Sequence, residues 1–550
     1  MPRSAARVAL AAAILAAACA RVPASATSPA PAHAPSGADS AARNAQARGR
    51  SAPGHATVPA PRRPGTAAPL PPIPLVAGSL AVHMVYPARG ALITSSDSTF
   101  VLGSVGNGAA TLTIDGQPVR VYPNGAFMGY VANPPAAAPQ YDLTAVLGAD
   151  TVRATHEVRV RAPAQEQAAA APAEFDSTAE WVRVDLPTST LPDTDRTIVG
   201  RPTPNDTYHW FLLPGTVVWR TGRVGGYTRL QLDRELDIWV PDSATQPVDA
   251  GPPPRRVAGN ASVVSAPAWE DFVLPVGARP AYFVEERDHA LALTLYDTRG
   301  NTDIVRYPTD DSLITRVDWA QVDNDRVRYT LHLSTDPYGY LVLWSAGRFV
   351  LRVRRPPAVD AAHPLRGMVI AVDAGHPPGG ATGPTGYYEG DATLAIAERL
   401  KTLLESRGAA VVMTRTTSAP VALEDRAVIS RRNDADAFVS IHLNAFPDGV
   451  NPFTATEGTA TFFYYGHAAP LARAVQAGMV NAMGLPDQGV VFRSLAVARQ
   501  TWVPSVLCEG AFVIIPEQEW ALRTAAFQQA YARGVADGLA AYFRGLGASR

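Results

Sequence analysis

Three short apolar runs between Gly367 and Gly510 constrain this chain more than any other feature. MVIAVDAGH ends in His376, AFVSIH ends in His442 and SVLCEG carries Glu509 next to its end. Each run is rich in Val and Ile and lacks the apolar–polar alternation of a half-exposed strand. Such runs read as strands buried on both faces, the signature of a parallel sheet covered by helices. In open α/β sheets, ligands gather at the carboxyl ends of the strands. Two imidazoles and a carboxyl delivered to that edge point to a site.

Glu389 joins them from a different element. It opens the helical run EGDATLAIAERLKTLLESRG, where Ile396, Leu400 and Leu403 follow at offsets of seven, eleven and fourteen. Those offsets trace one face of a 3.6-residue period, so Glu389 heads the stripe that packs on the sheet. Two imidazoles and one carboxylate with a fourth position open are the donor set of a catalytic zinc, here His376, Glu389 and His442. A histidine at a strand end is by itself more often a hydrogen-bonded structural residue, so the reading rests on the set.

Composition excludes several chemistries. Lys401 is the one lysine among 550 residues, which removes Schiff-base and P-loop mechanisms. A net charge of −1 with no basic block argues against nucleic acid as a partner. The length corresponds to about three or four domains.

The N-terminus reads as an export signal over residues 1–26. Arg3 and Arg7 precede an apolar core from Val8 to Ala18, too short to span a bilayer, and cleavage fits after the small triplet Ala24-Ser25-Ala26. An alternative makes Cys19 a lipid-modified terminus, although Leu15 stands one place too early for that box. The expected localisation is the periplasm or cell envelope, with no transmembrane helix in the mature chain. Cys508 is the other cysteine, so no disulfide is expected to hold an exported fold together. Residues 27–79 are dominated by Ala and Pro and read as a disordered tether.

Residues 80–162 alternate in short runs separated by turn signals, among them Asp115-Gly116 and Asn124-Gly125. This pattern resembles bacterial immunoglobulin-like β-sandwich modules. A linker over 163–175 follows. Residues 176–355 are again strand-rich: GTVVWRTGRVGGYTRLQL resembles an SH3-type barrel, and ITRVDWAQVDNDRVRYTLHLS resembles the β-sandwich modules that precede cell-wall amidases. Trp210, Trp219 and Trp239 are either core residues or a glycan-stacking surface. The linker composition implies that residues 360–550 fold alone.

Residues 367–545 alternate strand and helix, which predicts an α/β domain with a mostly parallel sheet. Through VDAGH, GPTGYYEGDATLAIAERLKTLLESRGAAVVMTR, LEDRAVISRRNDADAFVSIHLNA and VPSVLCEGAF, this third of the chain resembles the catalytic domain of zinc-dependent N-acetylmuramoyl-L-alanine amidases of the amidase_3 type. The resemblance implies a peptidoglycan hydrolase that cleaves the amide between N-acetylmuramic acid and L-alanine. It makes His376, Glu389 and His442 the Zn2+ ligands and Glu509 the catalytic carboxylate acting as general base. Pro377-Pro378-Gly379-Gly380 departs from the family's usual Gly-Gly after the first histidine, so the loop beside the metal is expected to differ in shape. Cys508 should point away from Glu509 and be inert.

Asp373 and Asn444 are candidates for orienting the ligand imidazoles. Arg426 reads as half of a structural ion pair, while His467 and His363 read as surface or capping residues. The absence of a His-Glu-x-x-His run disfavours a thermolysin-type peptidase. The alternative function is a catalytically silent envelope-binding scaffold. Peptidoglycan is the expected partner, and a recruitment partner in the envelope is left open. Some members of the family carry a helix that plugs the zinc site. Here LNAFPDGVNPFTATEGTA is broken by Pro447 and Pro452, and proline inside a helix costs about 3 kcal/mol, so an open site is expected.

Overall fold

A computed structural model of the chain describes residues 70–160, 175–186, 197–248, 253–309 and 313–548. The signal segment 1–26, Cys19, most of the tether and the linker up to residue 174 lie outside these residues.

The segment with unbroken apolar runs forms one six-stranded sheet. Its elements are β1 (Val369–Ala374), α1 (Glu389–Ser406), β2 (Ala410–Met413), α2 (Leu423–Arg432), β3 (Ala437–Asn444), β4 (Thr459–Phe463), α3 (Ala469–Met483), β5 (Asp487–Phe492), β6 (Ser505–Phe512), α4 (Pro516–Arg523) and α5 (Ala525–Ala548). The strand order is β2-β1-β3-β6-β4-β5. Strands β2, β1, β3 and β6 run parallel, and β4 runs antiparallel to β6 and parallel to β5. One face carries Ile370, Val372, Val439 and Ile441 against Ile396, Leu400 and Leu404 of α1 and Val535 and Leu539 of α5. The stripe on α1 therefore runs through Leu404, and Leu403 is only partly buried. The other face buries Ala371, Phe438, Leu507 and Val497 with Trp502. Coverage on both sides is why these strands show no polar alternation.

Ahead of this domain stands a seven-stranded antiparallel sheet over His83–Glu157. The hairpin at Asp115-Gly116 has φ of 49° and 77°, the paired positive values of a tight two-residue β-turn. Val76 and Gly78 already hydrogen-bond to this unit through Pro123, Gly108 and Asn107, so its order begins a few residues before position 80. Next comes a five-stranded sheet built from Glu180–Val184, Val217–Val224, Tyr227–Gln231, Asp237–Pro241 and Thr245–Pro247. A five-stranded and a four-stranded sheet between Ala261 and Arg354 then enclose a shared core of Phe272, Leu293, Tyr329 and Leu351.

These β units are not strung loosely ahead of the α/β domain but pack against it. Phe100, Leu102, Tyr122 and Met128 of the first unit belong to the same buried cluster as Leu443 and Phe512. At the other side, Arg354 donates to the Ala435 carbonyl at 2.6 Å and to Asp436 Oδ1 at 2.9 Å. The Tyr338 hydroxyl donates to the Asp436 carbonyl, and Tyr340 N–H to Thr501 O at 2.7 Å. His467, expected at the surface, is buried because Glu286 reaches across from the β region: its carboxylate lies 2.6 Å from Nδ1 and accepts the His467 backbone N–H at 2.8 Å. His363 is exposed and pairs with Asp360 at 3.0 Å. Among the described residues no helix is long and apolar enough to cross a membrane.

Candidate metal centre

The strand ends bring His376, Glu389 and His442 together, with one ligand-type atom from each lying within 4.8 Å of the others. His376 follows β1, His442 sits near the end of β3, and Glu389 is the first residue of α1. Glu389 Oε2 stands 3.4 Å from His376 Nε2, and Oε1 stands 3.3 Å from His442 Nδ1. The carboxylate is buried, and its oxygens also accept the N–H groups of Ala381 and Leu443, both at 2.9 Å. Burial alone would raise its pKa, but hydrogen bonds and charge from the two imidazoles outweigh this and hold it well below the usual carboxylate range.

Local sequence explains how the first imidazole is aimed. The turn after β1 puts His376 at φ 53°. Its Nδ1 lies 2.9 Å from the Pro378 carbonyl, which can only accept, so Nδ1 carries a proton and Nε2 is the ring nitrogen turned toward Glu389. Burial lowers the His376 pKa, and Glu389 more than reverses that, leaving it raised. The Tyr388 hydroxyl donates to the Gly379 carbonyl, so the prolines and glycines of this departure form a bonded turn. Gly375 leaves room for the second imidazole: a Cβ there would lie 2.5 Å from His442 Nε2.

Glu509 is the register partner of His442 on the adjacent strand β6, and register partners share a face of the sheet. Its Oε2 is shielded from solvent and has no hydrogen-bond partner. Burial first, and then the charge of Glu389, push this carboxyl well above the usual range, with Arg493 opposing them. The neighbouring Cys508 is fully buried in the apolar core, and burial pushes its thiol up.

Two expected orienting residues do not touch the imidazoles. Asp373 is fully buried and accepts from Arg426 Nη1 at 2.7 Å, Thr414 Oγ1 at 2.5 Å and Ser440 Oγ. It is the register partner of Ser440, and its influence on the His376 turn passes through Arg426. That guanidinium also donates to the Ala374 and Pro377 carbonyls at 2.9 and 3.0 Å, which ties α2 to the His376 turn. Asn444 turns its Oδ1 onto the Ala445 N–H at 2.9 Å.

The residues that do support the site were not legible beforehand. Arg415 donates to the carbonyls of Ala374, Gly375 and Gly390, joining the end of β1 to the start of α1. Tyr531 on α5 donates to the His442 and Cys508 carbonyls at 3.1 and 2.8 Å. Both act on backbone carbonyls, which leave no mark in a sequence.

Between β3 and β4, residues 445–458 contain no helix, in agreement with the proline-broken composition. This loop is held from outside the domain. Asp448 accepts from Thr94 N–H at 2.6 Å, Thr94 Oγ1 at 2.9 Å, Ser95 N–H at 3.2 Å and Thr99 Oγ1 at 2.5 Å, all from the first β unit.

The sequence profile of the N-acetylmuramoyl-L-alanine amidase family matches residues 370–541, the segment that builds this site. The uncharacterized protein YqiI of Bacillus subtilis (strain 168) is 33% identical over 193 residues, 34% of this chain and 90% of that protein. The probable cell wall amidase LytH of Staphylococcus aureus is 32% identical over 185 residues, of which the chain spans 60% of that protein's length. Among solved structures, the catalytic domain of CwlV, an N-acetylmuramoyl-L-alanine amidase from Bacillus (Paenibacillus) polymyxa var. colistinus, is 30% identical. That match covers 32% of this chain and 97% of the other, with a TM-score of 0.30. With its profile matched across the whole site and 90% of a relative covered at 33% identity, the chain belongs to the N-acetylmuramoyl-L-alanine amidase family.

Proposed function

We propose that this protein hydrolyses the amide between N-acetylmuramic acid and the L-alanine of the stem peptide in peptidoglycan. His376, Glu389 and His442 would hold a zinc ion, and Glu509 would move the proton. The observation that carries the reading is the convergence of two imidazoles and a buried, ionised carboxylate within 4.8 Å. The donor set fits zinc: Nε2 is the His376 nitrogen turned toward Glu389, and Glu389 stays charged despite its burial. When bound, zinc supplies a Lewis acid that polarises a carbonyl and acidifies water.

The protein's own groups do the rest. The shielded oxygen of Glu509 faces the same side of the sheet as His442 and has no competing partner. A carboxyl with a raised pKa holds a proton taken from the attacking water well enough to return it to the departing nitrogen. An amide needs both transfers, because its nitrogen leaves badly unless protonated. The hydrogen bonds of Arg415, Arg426 and Tyr531 to the backbone around the ligands keep the three donors converged.

Export to the cell envelope follows from the N-terminal segment and agrees with the wall location of the substrate. We further read the first β unit as immunoglobulin-like, and the later ones as an SH3-like unit followed by a β-sandwich.

The test is product analysis on a purified soluble muramoyl-peptide. The reading expects free stem peptide with a new amino group on L-alanine, and loss of the reaction when zinc is chelated and its return when zinc is restored. New reducing sugar ends, or cleavage inside the peptide, would refute it.

A further inference from the structure

Between the five-stranded sheet that begins at Glu180 and the sandwich that follows lies a cavity of about 330 Å³. Small-ligand pockets span about 300–1,000 Å³, so this one has room for a sugar unit or two. Its walls are of two kinds.

One wall is aromatic. Trp181 and Trp219 are register partners on neighbouring strands, with ring centroids 5.1 Å apart and edge to face. Their neighbours Val182 and Val218 are buried in the core of the unit, so alternation places both indoles on the opposite face, where they are half-exposed. Tryptophans with that placement are not required by the core.

The other wall is charged yet balanced. Asp233 pairs with Arg326 at 2.6 Å, Asp297 pairs with Arg256, and Asp325 lies 3.8 Å from Arg234. Each carboxylate is held in place while keeping acceptor capacity in reserve. Asp325 Oδ1 is shielded from solvent and has no partner. Leaving a buried acceptor unmade forfeits its hydration with nothing in return, so an oxygen in this position calls for a donor from a ligand.

Because the charges cancel in pairs, the cavity does not select a strongly ionic ligand. It offers half-exposed indole rings beside fixed acceptors and donors. A pyranose ring has the complementary surface, with an apolar C–H face and a rim of hydroxyl and amide groups. We propose that this cavity binds a saccharide and holds an N-acetylated glycan while the metal centre works on the stem peptide. The identification of wall glycan as the source rests on the amidase reading; the saccharide chemistry does not.

The experiment is calorimetric titration of the full chain with a tetramer of β-1,4-linked N-acetylglucosamine. Saturable binding is expected, Trp219→Ala should weaken it about tenfold, and Trp219→Phe should restore most of it. Turnover of a soluble muramoyl-peptide should be unchanged in Trp219→Ala, while retention on insoluble sacculi falls. No saturable binding by the wild type, or equal affinity in wild type and Trp219→Ala, would overturn the proposal. A chain that binds the tetramer but releases no stem peptide would uphold the cavity and refute the amidase reading. One that releases stem peptide without binding the tetramer would do the reverse.

Discussion

Asp448, six residues beyond the metal-site His442, accepts the hydroxyl of Thr99 at 2.5 Å from a β unit nearly 350 residues earlier in the chain. The same carboxylate also takes the Thr94 and Ser95 amides and the Thr94 hydroxyl, and the Tyr130 hydroxyl donates to the Gly449 carbonyl at 3.1 Å. The loop that follows β3 is thus fastened by a unit outside the α/β domain.

Removing that clamp should be felt in substrate handling before metal binding. Asp448→Ala is expected to lower stability by about 2–4 kcal/mol, as hydrogen bonds to a charged acceptor are lost. It should raise KM while zinc content stays stoichiometric. Burial raises the Asp448 pKa, but the hydrogen bonds from Thr99, Thr94 and Ser95 outweigh it, so the folded value lies below the ordinary 3.8. A depressed folded pKa stabilises above the unfolded value, and that contribution fades as pH falls through the folded one. Thermal unfolding of wild type and variant should therefore draw together as the pH falls below 3.8. Equal KM and equal stability at neutral pH would show that the clamp is incidental.

The contact between His467 and Glu286 has the opposite pH dependence. Burial lowers the His467 pKa, yet the charge and hydrogen bond of Glu286 more than compensate and leave it raised above 6.5. A raised folded pKa stabilises fully below the unfolded value and is lost as pH climbs through the folded one. Wild type should thus lose stability relative to His467→Gln as the pH rises from 6.5 through the raised folded value. A difference that is flat over that range would mean that His467 stays neutral in the interface.

Gly375 gives a steric test of the site. A Cβ there would sit 2.5 Å from His442 Nε2 and 2.6 Å from its Cε1, so Gly375→Ala must displace the imidazole or the turn. Zinc affinity measured by chelator competition should fall by about 10–100-fold, the scale seen when support for a ligand is removed. Circular dichroism should remain that of a folded protein, because the sheet beneath is packed on both faces. Unchanged affinity would show that His442 does not bind metal in this orientation.

Much of the site was legible in the sequence, and for a definite reason. His376 follows β1, His442 and Glu509 lie in the second halves of β3 and β6, and Glu389 begins α1, so period and apolar runs point them toward one edge. The supports were not legible: Arg415 and Tyr531 bind carbonyls across elements, and Asp373 reaches the site only through Arg426. The docking of the β units was hidden for a related reason. Phe100, Leu102 and Met128 look like ordinary strand residues, and nothing in their spacing says that both faces of their sheet are covered. The same holds for His467, whose partner Glu286 lies on a strand of another unit. Strand β4 reads as one more apolar run, because its direction relative to β6 depends on the loop before it rather than on its own residues.

The central claim is the division of labour between three metal ligands and one proton carrier. Zinc content and stem-peptide release, measured together on Glu509→Ala and His442→Ala, test it most directly. The account predicts that Glu509→Ala keeps one zinc per chain and its fold while turnover falls by about 10²–10⁴-fold, since proton transfer and no ligand is removed. It predicts that His442→Ala loses both zinc and turnover. Loss of zinc from Glu509→Ala with retention in His442→Ala would contradict it.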